Sequence, residues 1–223
     1  MSLVKLTDCR IGSKGVGNGI GKFSIEISRG DRFAIKSDRP EDAHAFFRVL
    51  ATLDRPEAGI YQFKGKTLDL GNYRALLDVK KKIGYISHDS AVISNRSVRE
   101  NLLLPRIYAE DTWEINLEPA TEELCRLFNI IEKLEMRPAA LGPLELQAVV
   151  IIRELTKSPE LLLLDRPDDF FGMTNFNTML RKFRQLLAPG LPVVFFSRDR
   201  HFNREFSDKT IVIENGSLEV SRS

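Results

Sequence analysis

Cysteine is scarce in this chain of 223 residues, with only Cys9 and Cys125 present. Their separation fits no metal-ligand or redox spacing, so a disulfide framework and a thiolate metal centre are both excluded. Two reduced, buried thiols in a cytosolic protein are expected instead. A strong charge of one sign is also lacking: 33 Lys and Arg face 31 Asp and Glu, for a net charge of +2. That balance points to neither nucleic acid nor an anionic membrane surface as a partner. The Lys80-Lys81-Lys82 cluster reads as a solvated face before a strand. Long apolar runs are absent too. Leu161–Leu164 and Val193–Phe196 fall far short of the roughly 20 residues that cross a bilayer, so no direct membrane insertion is expected. Met1–Ile11 carries charges and no apolar core segment, so no signal peptide is expected. No internal repeat or low-complexity tract is evident.

What is present is ordinary globular composition, 43% hydrophobic and 29% charged, in a length that suits one domain with a helical insert. Leu3–Ile11 alternates as a strand exposed on one side does. Five glycines then crowd between Gly12 and Gly21; no helical pattern follows them, so they predict a hairpin turn and not a dinucleotide loop. Strands are predicted at Lys22–Ser28, Arg32–Lys36, Ile60–Phe63 and Ile83–Ile86. From Pro40 to Leu53 apolar residues recur at helical spacing, with Pro40 suited to the first helical position and Glu41 and Asp42 to the positive end of the dipole. Ser97-Val-Arg-Glu100 predicts a capping box opening a helix Val98–Leu104 that Pro105 closes. Residues 107–137 read as mostly helical, clearest at Glu122–Ile131, and Leu144–Lys157 as a second strong helix. Leu161–Leu164 and Pro192–Ser197 are apolar buried strands around a helix Asn175–Leu187, and Lys209–Glu214 with Leu218–Val220 make a last hairpin. Buried strands alternating with helices predict an α/β fold with a parallel sheet covered on both faces.

Taken in order, several segments carry a resemblance over nearly the whole chain. Leu53-Asp-Arg-Pro-Glu-Ala-Gly59 follows the first helix. Lys82-Ile-Gly-Tyr-Ile86 and Ser97-Val-Arg-Glu-Asn-Leu102 flank a loop. Lys157-Ser-Pro-Glu-Leu-Leu-Leu-Leu-Asp165 leads into and forms a buried strand, and Ile211-Val-Ile-Glu-Asn-Gly216 sits in the closing hairpin. The chain resembles the nucleotide-binding subunit of ATP-binding-cassette (ABC) transporters. The resemblance implies a P-loop NTPase-like cassette: a parallel core sheet flanked by helices, an N-terminal antiparallel β subdomain and a helical subdomain. It divides this chain into residues 1–82 with the first core helix, a helical region 87–157, and the rest of the core at 158–223. In that family the cofactors are ATP and magnesium, hydrolysis is coupled to transport, and the partners are a membrane permease and a second cassette.

At the positions where the family does its chemistry, the residues differ. The phosphate-loop glycines fall on Ser37, Pro40 and Asp42, its lysine on Ala43 and its magnesium-binding hydroxyl on His44. Pro40 has no N–H to give a phosphate, and Glu41 and Asp42 put carboxylates where the polyphosphate lies. Two like charges ~4 Å apart repel by about 4 kcal/mol at an effective dielectric near 20. The loop glutamine is replaced by His88. The signature motif reads Leu141-Gly142-Pro143-Leu144-Glu145. Asp165 remains in the Walker B strand, but the catalytic glutamate after it is Arg166, which stays protonated and cannot serve as a base. The switch histidine is Arg198, the dimer loop reads Asp168-Asp-Phe-Phe-Gly172, and no aromatic near Ile11 suits adenine stacking.

These departures predict a degenerate cassette that binds neither ATP nor magnesium. It would act as scaffold or regulator at the inner face of the membrane through a permease or an active cassette protein, with dimerisation left open. A divergent but active ATPase and an anion-binding module in the old cleft are the alternatives. Arg166 and Arg198 are expected to pair with Glu41, Asp42 and Asp165, filling the charge space of phosphate and magnesium. Asp165 is expected to be structural, and His44 and His88 to be solvated or structural. Permease contact is expected near Tyr85, His88, Asp89, Ser90 and Arg99. Phe170-Phe171 suits either an interface or a local plug.

Overall fold

A computed structural model of the chain describes residues 2–13, 15, 17–87, 89–110, 115–167 and 189–222. The predicted helix Asn175–Leu187, the loop 168–172 with its two phenylalanines, and His88 lie outside the described residues. The chain begins with β1 (Ser2–Ile11), β2 (Ile20–Ser28), β3 (Arg32–Ser37), α1 (Pro40–Leu50), β4 (Ala58–Phe63) and β5 (Lys66–Thr67). It continues with α2 (Tyr73–Lys80), β6 (Ile83–Ile86), α3 (Val98–Glu110), α4 (Pro119–Leu127) and α5 (Pro143–Leu155). It closes with β7 (Leu161–Asp165), β8 (Val193–Phe196), α6 (Arg200–Phe206), β9 (Lys209–Glu214) and β10 (Ser217–Arg222).

Two sheets result. An antiparallel sheet runs β2-β1-β4-β5, and a six-stranded sheet runs β10-β9-β3-β8-β7-β6. The pairs β9–β3, β3–β8, β8–β7 and β7–β6 are parallel, and β10 alone is antiparallel at the edge. Every residue of β7 and β8 is buried, as strands covered on both faces require. The sheets meet where the Gly21 N–H donates to the Gly216 carbonyl at 2.7 Å.

The β1–β2 turn depends on Gly19. Its φ of +75° is left-handed, and a Cβ there would lie 2.6 Å from the Ile11 carbonyl oxygen. Helix α1 buries Phe46, Phe47 and Leu50 fully, and Phe46 meets Phe23 edge-on at 5.8 Å. Each such side chain contributes about 1.5–3 kcal/mol by leaving water. This face joins both sheets in the largest core cluster. A second cluster packs Phe195, Phe202 and Phe206 beneath β7 and β8, and a third fills the space among α3, α4 and α5. Val92 and Phe128 pack against both the second and the third.

Several expectations change. Pro105 does not close its helix but lies inside α3. Its fixed φ is helical, and buried Leu103, Leu104 and Ile107 hold the chain on both sides of the missing N–H. The mostly helical 107–137 resolves into the end of α3, α4 opened by Pro119, and a 3-10 turn at Ile131–Lys133. Asn129, at φ 56°, breaks the run. Helix α2 was not foreseen; Asn72 caps it by accepting the Ala75 N–H at 3.2 Å, but only Leu76 is buried. The capping box stands, with Ser97 Oγ accepting from Glu100 N at 3.2 Å and Glu100 Oε2 accepting from Ser97 N at 2.7 Å. Cys9 and Cys125 are free and buried, and burial pushes both thiols up, Cys125 to about 11.

Candidate functional site

Open α/β sheets bind ligands beyond the carboxyl ends of their strands. There, after β3, β7 and β8, a cleft of about 410 Å³ is walled by Pro40, Glu41, His44, Arg48, Asp165 and Arg166, with Gly15 of the glycine turn at its edge. Helix α1 supplies the first four, starting directly at Pro40 with Arg39 in the cap position but without a side-chain capping hydrogen bond.

Asp42 does not face open solvent. It is 2% exposed, and its carboxylate accepts the Gly19 N–H at 2.9 Å and the Asn18 N–H at 3.2 Å. Two successive backbone N–H groups converging on an anion form a nest, and here a side chain of the protein fills it. The result is a latch between the glycine turn and the first turn of α1. Ala43 is fully buried in the main core and presents only a methyl group.

Asp165 ends β7 as a buried carboxylate. The His44 Nδ1 lies 3.1 Å from its Oδ2, with side-chain exposures of 30% for His44 and 3% for Asp165, so the imidazole covers the carboxylate from the cleft side. The bond to Asp165 raises the His44 pKa above its ordinary value; burial opposes this, the charges of Asp165 and Asp89 add to it, and Arg48 subtracts. Arg48 holds Asp54 in a two-pronged bond at 2.8 and 3.0 Å. Arg166 leaves β7 with φ 55°, a left-handed conformation uncommon outside glycine, while its N–H donates to the Phe196 carbonyl at 2.8 Å.

Backbone amides reach Asp42 and the imidazole of His44 reaches Asp165, contacts that the expected arginine pairing did not include. Arg166 and Glu41 line the same cleft, whereas Arg198 is exposed beside Asp199, which caps α6 by accepting Phe202 N at 2.8 Å. His44, expected to be solvated or structural, is brought into the site by its place one helical turn after Pro40. Among the described residues, no group of three or more His, Cys, Asp or Glu side chains stands close enough to hold a metal ion.

The segment 141–145 starts α5. Gly142 precedes Pro143 at the first helical position, and Glu145 folds back to accept the Gly142 N–H at 2.9 Å. Lys133 binds the same carboxylate at 2.5 Å, and Lys133 first, then this N–H, lower its pKa. Leu144 is exposed. Of the expected permease contacts, Tyr85 turns toward the main core and stacks on Phe47 at 6.0 Å, so burial raises its pKa. Ser90 accepts the Ser87 N–H at 3.1 Å, Asp89 accepts from the Ser87 hydroxyl, and Arg99 pairs with Glu135. A signal the sequence reading missed is Asn101, fully buried, whose side chain accepts Ile93 N at 2.7 Å and donates to the Ile93 and Ser97 carbonyls at 3.0 and 2.9 Å.

Comparison with known proteins agrees with this architecture. The methionine import ATP-binding protein MetN 2 of Paraburkholderia xenovorans is 24% identical over 89% of this chain and 52% of its own length. A macrolide export ATP-binding/permease protein MacB of Aggregatibacter actinomycetemcomitans is 27% identical over 88% of this chain and 30% of its own. The chain therefore spans about half the length of the first and under a third of the second. Among solved structures, the ATP-binding cassette MJ0796, a dimer in a post-hydrolysis state bound to ADP and Pi, superposes with a TM-score of 0.82 at 18% identity over 98% of both chains. CbiO1 of Clostridium perfringens, part of the transporter complex cbiONQ, gives 0.77 at 15% identity over 99% of this chain and 88% of its own. No helix among the described residues is long and apolar enough to cross a membrane. The profile of the ABC transporter family matches residues 45–169, more than half of the sequence, and this chain belongs to that family.

Proposed function

We propose that this chain is a cassette subunit without ATPase activity, acting as scaffold or regulator in an ABC transporter assembly through protein contacts. The observation that carries this reading is the contact between His44 and Asp165. A divalent cation at the end of β7 would need the Asp165 carboxylate and an oxygen ligand; here an imidazole sits on that carboxylate instead. The remaining residues do not fit a magnesium nucleotide either. Pro40 offers no N–H, the Asp42 carboxylate already fills the nearby nest, and Ala43 brings no ammonium group. Arg166 follows Asp165 where a carboxylate would be needed to activate water. At the start of α5, Glu145 occupies the Gly142 N–H that an incoming phosphate would use.

Under this reading the chain works at the cytoplasmic face, with a permease or a motif-intact cassette as partner; its residue divisions 1–82, 87–157 and 158–223 carry over as working boundaries. A second reading, a divergent ATP-binding subunit, is favoured by one fact: the curated relatives are named as ATP-binding proteins. Titration of the purified chain with ATP and magnesium separates the two. The first expects no saturable heat, no rise in melting temperature and no phosphate release above a protein-free control. Magnesium-dependent binding with turnover establishes the second and removes the first.

A further inference from the structure

At the opposite pole of the six-stranded sheet lies a cavity of about 480 Å³ that shares no lining residue with the cleft. It sits before β7 and β8, whereas the cleft lies after them. The four residue steps from Leu161 to Asp165 put roughly 13 Å of strand between the two. Its volume falls within the range of about 300–1,000 Å³ typical of small-molecule sites.

The walls are apolar and held in place. Pro159, Pro189 and Pro192 contribute rings and no N–H groups, and Leu3 and Leu191 complete the lining between them. Framework hydrogen bonds fix the backbone behind: Leu162 N to Pro192 O at 3.0 Å, Val193 N to Asp31 O at 2.9 Å, and Gly30 N to Gly190 O at 2.7 Å. The cavity is therefore preformed and needs no ordering when a ligand enters.

The charged groups at its rim are unequal in number. Glu160 is already committed, bound by Lys64 and reached by Lys82 at 3.5 Å, and Lys64 first lowers its pKa. Arg29 also lines the cavity, and among the described residues its guanidinium is in no ion pair. Its stem lies along Gly190, where φ is +76° and a Cβ would come within 3.1 Å of Arg29 Nε, so the guanidinium is positioned over the cavity wall. Two cations, Arg29 and Lys64, thus line the cavity against one carboxylate, Glu160, and Lys64 already engages that carboxylate.

From this juxtaposition we propose that the cavity binds a small amphiphilic carboxylate. Its carboxylate lies on the Arg29 guanidinium in a two-pronged bond, and an apolar body the size of a medium-chain acyl group lies across Leu3, Leu191 and the prolines. Arginine suits this geometry because its planar fork matches a carboxylate. The site is independent of any nucleotide and tests separately from the silent-ATPase reading.

Decanoate is the probe, followed by calorimetry and by chemical-shift changes on the full chain. Decyltrimethylammonium, with the same tail and the opposite charge, is the control. Saturable decanoate binding is expected, with shifts at Leu3, Gly190 and Leu191 and none from the ammonium compound. Arg29→Ala, an exposed substitution checked by an unchanged melting temperature, weakens binding about five-fold or more, as loss of a partly solvated ion contact of ~1 kcal/mol implies. Arg29→Lys restores part of the affinity. Absence of binding, equal binding of the two detergent-like probes, or the same affinity in wild type and Arg29→Ala overturns the proposal.

Discussion

Replacing Asp42 by alanine is the most direct probe of the latch between the glycine turn and α1. The substitution removes two hydrogen bonds to a carboxylate, at 2.9 Å from Gly19 and 3.2 Å from Asn18, in a residue 2% exposed. A hydrogen bond to a charged group contributes about 1.5–3 kcal/mol, with the longer one at the low end. The favourable placement of an acid in the first helical turn adds about 0.5 kcal/mol. Against this, alanine spares the desolvation of a buried charge, which returns about half of the total, and the net loss comes to ~2–3 kcal/mol. For a domain of this size, each kcal/mol lowers the melting temperature by about 2–4 °C, so a fall of ~5–10 °C is expected. Asp42→Asn keeps one carbonyl acceptor and falls by about half as much, since a neutral acceptor makes the weaker bond. Thermal unfolding by circular dichroism measures the shift, and amide exchange of the peptide spanning residues 17–21 locates it. A variant melting within about 1 °C of wild type, with Gly19 exchanging no faster, refutes the latch.

Other perturbations have equally definite outcomes. Because the His44 pKa is raised in the folded chain, the folded state binds more protons than the unfolded above the ordinary histidine value of about 6.5, so its stabilisation is complete below that pH and fades as pH rises through the raised value. Melting temperatures measured upward from about pH 6.5 are therefore expected to fall more steeply for wild type than for His44→Gln; an equal slope contradicts the pairing. Asn101→Ala leaves Ile93 N and two carbonyls without their buried partner and costs about 3 kcal/mol, readable in a denaturant midpoint. Ser97→Ala removes the cap on Glu100 N and costs about 1 kcal/mol; a loss above ~3 kcal/mol in that melt points to a larger role than capping.

Much of the fold was legible because its strands carry unambiguous patterns. Leu161–Leu164 and Val193–Phe196 are too short for helices and too apolar for an exposed edge, and both became central parallel strands. The segment 40–50 was legible for the same reason, proline and acids opening a run of core residues. Helix α2 was not, because its one buried residue leaves almost no periodicity to read. Pro105 misled because local propensity favours a stop, while packing of Leu104 and Ile107 on either side carries the helix through. At the site, charge arithmetic matched arginines to carboxylates and gave no hint that the Asn18 and Gly19 amides reach Asp42 or that an imidazole reaches Asp165. Backbone donors leave no mark in composition, and a turn 24 residues upstream gives no sign of where it will fold.

Val92 and Phe128 are shared between the packing under β7 and β8 and the packing among α3, α4 and α5. A side chain owned by two interiors cannot change rotamer for one without disturbing the other. A load applied to the helices by a bound neighbour therefore reaches the central strands through these two residues. Mechanical coupling of that kind needs no fuel, so it operates whether or not nucleotide is turned over.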